Sequence, residues 1–207
     1  MVMMYQPHGP SFDDLYATIE QLPSGITGEI LEPGEVHTMS RPGRPHRKAA
    51  KLLGHALGRY DAEQGGHGWL IDHEPEVRFG ERLLVPDLCG WMVTRTPQLP
   101  RDNPIEVVPD WVCEVLSPTT ADIDRAFKLP FYMRSGVRWA WLIDPERRVV
   151  DAYESFDRCP RLVGTAHDAE DMALPPFDRP IPFGTLWLTP EAATLRCGDA
   201  AQRYFNP

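Results

Sequence analysis

The run Trp111-Val112-Cys113-Glu114-Val115-Leu116 constrains this chain more than any other segment. A strand that is apolar at consecutive rather than alternate positions must be covered on both faces, so it belongs in the middle of a sheet. Ser117-Pro118-Thr119-Thr120 then opens a helix expected over about 120–135 and closed by Ser135-Gly136. Pro130 falls inside that helix and removes the bond to the Ala126 carbonyl, which predicts a kink or a break. Val137 to Ile143 is a second buried strand stopped by Asp144-Pro145, and Arg148 to Tyr153 pairs with it as a hairpin.

Upstream, Ser11-Phe12-Asp13-Asp14 has the form of a capping box, and Phe12, Leu15, Ile19 and Leu22 follow at helical spacing, giving a short helix from about 12 to 21. Gly28 to Leu31 and Val36 to Met39 flank Glu32-Pro33-Gly34-Glu35 and read as a hairpin. Ala49, Leu52, Leu53, Ala56 and Leu57 form the apolar stripe of a helix between Pro45 and Tyr60. Trp69 to Ile71, Glu76 to Phe79 and Leu83 to Val93 read as strands. After 155 the chain is loop-rich, with strand candidates near 162–166 and 184–188 and a terminal helix expected after Thr189-Pro190-Glu191. No internal repeat is visible.

Charge is unevenly distributed. The net value of −9 excludes a polybasic coat for nucleic acid, yet residues 1–40 carry no Lys or Arg, and residues 41–59 carry six bases and no acid. Those six are Arg41, Arg44, Arg47, Lys48, Lys51 and Arg59. With 42% hydrophobic residues the chain is too apolar for intrinsic disorder. Cys89, Cys113, Cys159 and Cys197 show no CxxC pairing, and the first two sit in apolar runs as buried thiols. There is no signal-peptide pattern and no apolar stretch long enough for a membrane span, so a cytoplasmic protein without a membrane partner is expected.

Two carboxylates are out of place. Asp87, in Val85-Pro86-Asp87-Leu88-Cys89, and Glu114 each interrupt a sequence that is otherwise a buried strand. An unpaired buried carboxylate costs several kcal/mol or neutralises itself through its pKa, so each needs an arginine, a backbone turn to cap, or a divalent cation held by oxygen ligands. Lysine is rare, three against 18 arginines, and two of the three lie in the basic helix. The third, Lys128, stands four residues after Asp124, either as an exposed i, i+4 ion pair or as an ammonium that approaches a phosphate or a metal-bound water. The histidines His46, His55, His67 and His73 form no ligand motif and are expected to be solvated or locally hydrogen-bonded.

Val85-Pro86-Asp87, Val112-Cys113-Glu114-Val115-Leu116-Ser117-Pro118, Asp124…Lys128…Tyr132 and Gly136-Val137-Arg138-Trp139-Ala140-Trp141-Leu142-Ile143-Asp144-Pro145, in that order, resemble the Uma2 family, formerly a domain of unknown function. Glu29-Ile30-Leu31…Gly34-Glu35…Met39-Ser40-Arg41-Pro42 is similar to its opening hairpin, with one extra residue in the turn. The resemblance covers residues 11–190 as one domain and leaves 191–207 as an extension with helical character.

What the resemblance implies is an α/β (α+β) fold of the restriction-endonuclease-like, PD-(D/E)XK type: a mixed β-sheet flanked by helices. It also implies a Mg²⁺- or Mn²⁺-dependent endonuclease that hydrolyses phosphodiester bonds of nucleic acid by in-line attack. Asp87 and Glu114 correspond to the two metal-binding carboxylates, joined by the backbone carbonyl of Val115. Glu29 is either a further acid near the metal or a solvated strand-edge residue like Glu32 and Glu35. The motif's lysine position holds Leu116, and Lys128 matches the placement on the following helix that the family often uses. Arg41, Arg44, Arg47, Lys48 and Lys51 are then the expected contacts to nucleic acid, with DNA as the favoured substrate.

Leu116 also keeps open a different class, a module on the nuclease scaffold that binds nucleic acid or a protein partner without turnover. A hydrolase of a small phosphodiester is the third reading. Trp139 and Trp141, on the strand from Val137 to Ile143, are expected in the core or at a partner interface, and a homodimer is one expectation.

Overall fold

A computed structural model describes residues 9–188. The expected terminal helix and the 191–207 extension lie outside the described residues. Ser11 caps α1 (Phe12–Ile19) through a reciprocal box with Asp14, and Phe12, Leu15 and Ile19 are its buried face. β1 (Ile26–Glu29) and β2 (His37–Ser40) form the expected antiparallel hairpin, with Glu29 opposite His37. α2 (Arg44–Leu57) starts with Pro45 in its first turn and buries Ala49, Leu53 and Leu57.

β3 (Trp69–His73), β4 (Val77–Phe79), β5 (Arg82–Leu84), β6 (Leu88–Met92) and β7 (Trp111–Val115) follow. The segment 83–93 is thus not one strand. β5 pairs with β4 in a separate ribbon, β6 joins the main sheet, and Val85-Pro86-Asp87 crosses between them. Pro86 lacks the N–H that an uninterrupted central strand needs, which explains the break.

A helical rod spans 121–134 in three stretches: α3 (Ala121–Ile123), a π-helical stretch (Asp124–Lys128) and α4 (Leu129–Arg134). The kink or break expected at Pro130 takes this form. Leu129 N–H donates to the Asp124 carbonyl five residues back, so the wide turn ends where proline supplies no donor.

β8 (Trp139–Asp144), β9 (Val149–Phe156) and β10 (Cys159–His167) complete the main sheet, whose order is β10-β9-β8-β7-β6-β3. Only β7 and β8 are parallel, joined by the helical rod as a crossover, and the sheet is mixed as expected. A short pair, β11 (Asp171–Met172) with β12 (Ile181–Pro182), precedes a 3₁₀ turn at Phe183–Leu186, where a strand was expected. Among the described residues no helix is long and apolar enough to cross a membrane.

Both faces of β7 are covered. Trp111, Cys113 and Val115 share a cluster with Ala49, Leu53 and Leu57 of α2 and with Phe177, Phe183 and Leu186. Val112 packs on the opposite face with Leu129, Tyr132 and Met133 of the helical rod. Cys89 and Cys113 are buried free thiols.

β8 lies between β7 and β9 with Ala140 to Ile143 buried, as its apolar run predicts. Trp141 is fully buried, with ring centroids 5.4 Å from both Trp111 and Phe177, and its Nε1 donates to the Pro175 carbonyl at 2.6 Å. Trp141 is therefore a core residue, whereas Trp139 is half-buried beneath the exposed Arg138. Trp141→Ala should cost about 3–5 kcal/mol of stability, read as a lower urea midpoint with an unchanged slope.

Candidate active site

The C-terminal end of β7 is where the chemistry-bearing side chains converge. Glu114 lies on the face of β7 that meets the helical rod, and Tyr132 O–H donates to its Oε1 at 2.6 Å. The antiparallel register pairs Leu88 with Cys113, so Asp87, one residue before β6, falls beside Glu114. Val115 N–H donates to Asp87 Oδ2 at 2.7 Å, and His46 Nε2 donates to Asp87 Oδ1 at 2.6 Å. Val115 thus joins the site through its N–H.

Glu29 reaches the same place from β1. Leu83 and Ile30 exchange backbone hydrogen bonds, which fixes the end of β1 against β5, and Val85 N–H donates to Glu29 Oε1 at 2.8 Å. Of its two sequence readings, the solvated strand-edge acid is wrong: Glu29 is fully buried, whereas Glu32 is exposed and paired with Arg82 at 2.6 Å.

Lys128 is the centre of the arrangement. Its Nζ lies 2.9 Å from Glu29 Oε1, 3.4 Å from Glu114 Oε1 and 3.6 Å from Asp124 Oδ1, with every member of the group buried. The pair with Asp124 is therefore not an exposed surface bridge. The π-helical stretch carries both residues and turns both into the protein, a placement that widened helical turns often serve at functional sites.

One ammonium does not offset three buried carboxylates. Burial pushes the Glu114 carboxyl well above the usual range; Lys128 pulls it back, while Asp124, Asp87 and Glu29 push it further up. Burial likewise raises Asp124, again opposed by Lys128. For Lys128, burial favours the neutral amine, but Glu114, Glu29 and Asp124 outweigh it and its pKa rises. Burial and Glu114 also raise the Tyr132 phenol, so it stays a donor.

An open cleft of about 360 Å³ leads to Asp87, lined by His46, Arg47, Lys51, His55, His73 and Glu74 among others. Of the five basic residues expected to meet nucleic acid, Arg47 and Lys51 line it. Lys48 turns away and donates to the Trp187 carbonyl, while Arg41 and Arg44 are exposed but not part of the lining. Gly54 in the interior of α2 makes room for the His73 ring, since a Cβ there would stand 2.3 Å from His73 Cε1. His46, His55 and His73 were not expected in a common site. They escape sequence reasoning because the contact of His46 with Asp87 spans 41 residues.

Among the described residues, no three His, Cys, Asp or Glu side chains converge closely enough to hold a metal ion as they stand. Lys128 takes the central position among Glu29, Glu114 and Asp124, and Asp87 is turned onto His46. The donor set nonetheless suits a hard divalent cation. It consists of carboxylate oxygens with surplus negative charge, and Glu29 Oε2 is buried without a hydrogen-bond partner.

A mixed sheet that gathers carboxylates and a lysine at one strand end defines a nuclease-like fold. The same fold occurs in a solved protein from Anabaena variabilis ATCC 29413, described as a "putative nuclease belonging to DUF820". The TM-score is 0.63 and the identity 20%, over 86% of this chain and 97% of that one. The chain belongs to the Uma2 family, whose model, described as "Putative restriction endonuclease", matches residues 15–178. No curated protein matches the chain.

Two outcomes follow for the cluster. Lys128→Met leaves three buried carboxylates without a counter-charge and should cost about 3–5 kcal/mol at pH 7, read by urea unfolding. Glu114 contributes in the opposite sense. Its folded pKa is raised, so its stabilising contribution is complete below the unfolded value of 4.5 and is lost as pH rises through the folded value. Glu114→Gln should therefore match the native chain near pH 4 and become the more stable of the two toward pH 8. Each unit of raised pKa is worth about 1.4 kcal/mol in that comparison.

Proposed function

We propose that the protein is a metal-dependent endonuclease that hydrolyses phosphodiester bonds of nucleic acid, with DNA as the favoured substrate. The observation that carries this reading is the gathering of Glu29, Glu114 and Asp124 around Lys128, beside an Asp87 that is reached through a cleft lined by Arg47 and Lys51.

Asp87 and Glu114 would hold Mg²⁺ or Mn²⁺, with the Val115 carbonyl and Glu29 as further oxygen donors. When bound, the ion supplies Lewis-acid polarisation of the scissile phosphate and a water of lowered pKa. Lys128 orients the attacking water and offsets the negative charge that develops on the phosphate. Tyr132 holds Glu114 through its phenol, and Val115 N–H and His46 hold Asp87. Arg47 and Lys51 bind the flanking backbone, while Arg41 and Arg44, exposed near the start of α2, extend the basic surface.

Asp87→Ala and Glu114→Ala should each abolish Mg²⁺- or Mn²⁺-dependent cleavage in a time course on supercoiled and linear DNA and on RNA, while the fold persists by circular dichroism. Cleavage at native rates in both variants overturns the assignment. One observation favours a second reading, a scaffold that binds nucleic acid without turnover: Leu116 is buried at the motif's usual lysine position, and Lys128 is already held by three carboxylates. In that case binding weakens with salt, by a logarithmic slope of about −0.9 per phosphate contact, with no scission under any divalent cation.

A further inference from the structure

We propose that His46 is a positioning residue for Asp87, fixing the plane of the carboxylate from the first turn of α2. The inference rests on the preceding reading of Asp87 as a cation ligand.

The imidazole and the carboxylate are 2.6 Å apart, and each side chain is largely buried, at 12% and 13% exposure. Val115 N–H holds the other oxygen at 2.7 Å. Asp87 is thereby gripped from two separate elements, the end of β7 and the start of α2. A carboxylate held at both oxygens cannot rotate about its terminal bond, yet each oxygen keeps a further lone pair for a ligand. Nothing in its own segment supplies this restraint, since Val85-Pro86-Asp87 lies between two strands that belong to different sheets.

His46 has no other polar contact that would explain its place. Its Nδ1 is buried and has no hydrogen-bond partner. A buried unpaired nitrogen is costly relative to an apolar group of similar shape, so a leucine or methionine would serve better if the position were there for packing alone. The ring's single productive interaction is the one with Asp87. Because His46 shares α2 with Arg47 and Lys51, the same helix that lines the cleft with positive charge also sets the orientation of the acid at its end. Hydrogen-bonding partners of metal ligands act in this way, and their loss commonly lowers metal affinity 10–100-fold.

The test uses the full-length protein with Mn²⁺ alone, without nucleic acid. Binding is followed by calorimetry and by the electron paramagnetic resonance signal of free Mn²⁺, with thermal unfolding measured in parallel. His46→Ala should weaken Mn²⁺ binding about 10–100-fold. His46→Gln should recover most of that loss, because the glutamine amide nitrogen can donate to Asp87 Oδ1 from near the position of Nε2. Asp87→Ala should remove the binding.

Native Mn²⁺ affinity in His46→Ala, with only a lowered unfolding temperature, overturns the inference and leaves His46 a packing residue. Equal weakness of His46→Gln and His46→Ala overturns it as well, since the donor would then not be what matters. If His46→Ala does not fold, the comparison of His46→Gln with the native chain decides: native affinity supports the inference, and a tenfold or greater loss overturns it. Undiminished binding in Asp87→Ala, or no Mn²⁺ binding by the native chain, overturns the reading of Asp87 as a ligand and this inference with it. Loss in Asp87→Ala together with unchanged His46→Ala overturns the inference alone.

Discussion

The buried ammonium of Lys128 is the interaction on which the rest of this structure depends. Glu29 comes from an N-terminal hairpin, Glu114 from a central strand, and Asp124 and Lys128 from the helical rod that follows it. No two of these elements need to meet for local reasons. Glu29 and Glu114 each place a carboxylate in a region of low dielectric where, among the described residues, the compensating charge is one lysine, 2.9 Å from the first and 3.4 Å from the second. Charge of that kind is costly to bury and costlier to leave unpaired, so the loss of any one partner penalises the junction of hairpin, sheet and helix.

Pro130 explains the shape of the helix that carries Lys128. A regular α-helix through Pro130 would leave a carbonyl without its donor, and the π-helical stretch absorbs that mismatch just before the proline. The side chains of Asp124 and Lys128 both turn inward along the widened stretch. A sequence irregularity that on its own reads as a break is thus part of how the catalytic lysine candidate reaches the carboxylates.

Charge distribution acquires a similar explanation. The net −9 belongs to the whole chain, whereas the local arrangement is an acidic cluster at a strand end beside a cleft lined by Arg47 and Lys51. Tertiary structure divides the basic run by role. Arg47 and Lys51 face the cleft, and Lys48 is drawn to the Trp187 carbonyl, 139 residues away in sequence. Helical periodicity alone leaves all three on the polar side of α2, so their separation comes from what packs beside the helix.

The sequence by itself determined the core of the sheet and the identity of its two anomalous acids. Consecutive apolar residues in Trp111 to Leu116 require cover on both faces, and Asp87 and Glu114 stand out because a buried carboxylate conflicts with its surroundings wherever the chain goes. Those signals are local, so they survive without coordinates. Only the tertiary structure decided between the two readings of Glu29, the partner of Asp87 and the surroundings of Lys128. It also decided which tryptophan of β8 enters the core, since Trp141 packs against Phe177 and Phe183 while Trp139 stays half-buried. Each of these depends on contacts between residues tens of positions apart, set by register and by the face of an element that a neighbour covers. A one-dimensional pattern carries neither quantity, which is why His46, read in sequence as solvated or locally hydrogen-bonded, turns out to hold Asp87, 41 residues away.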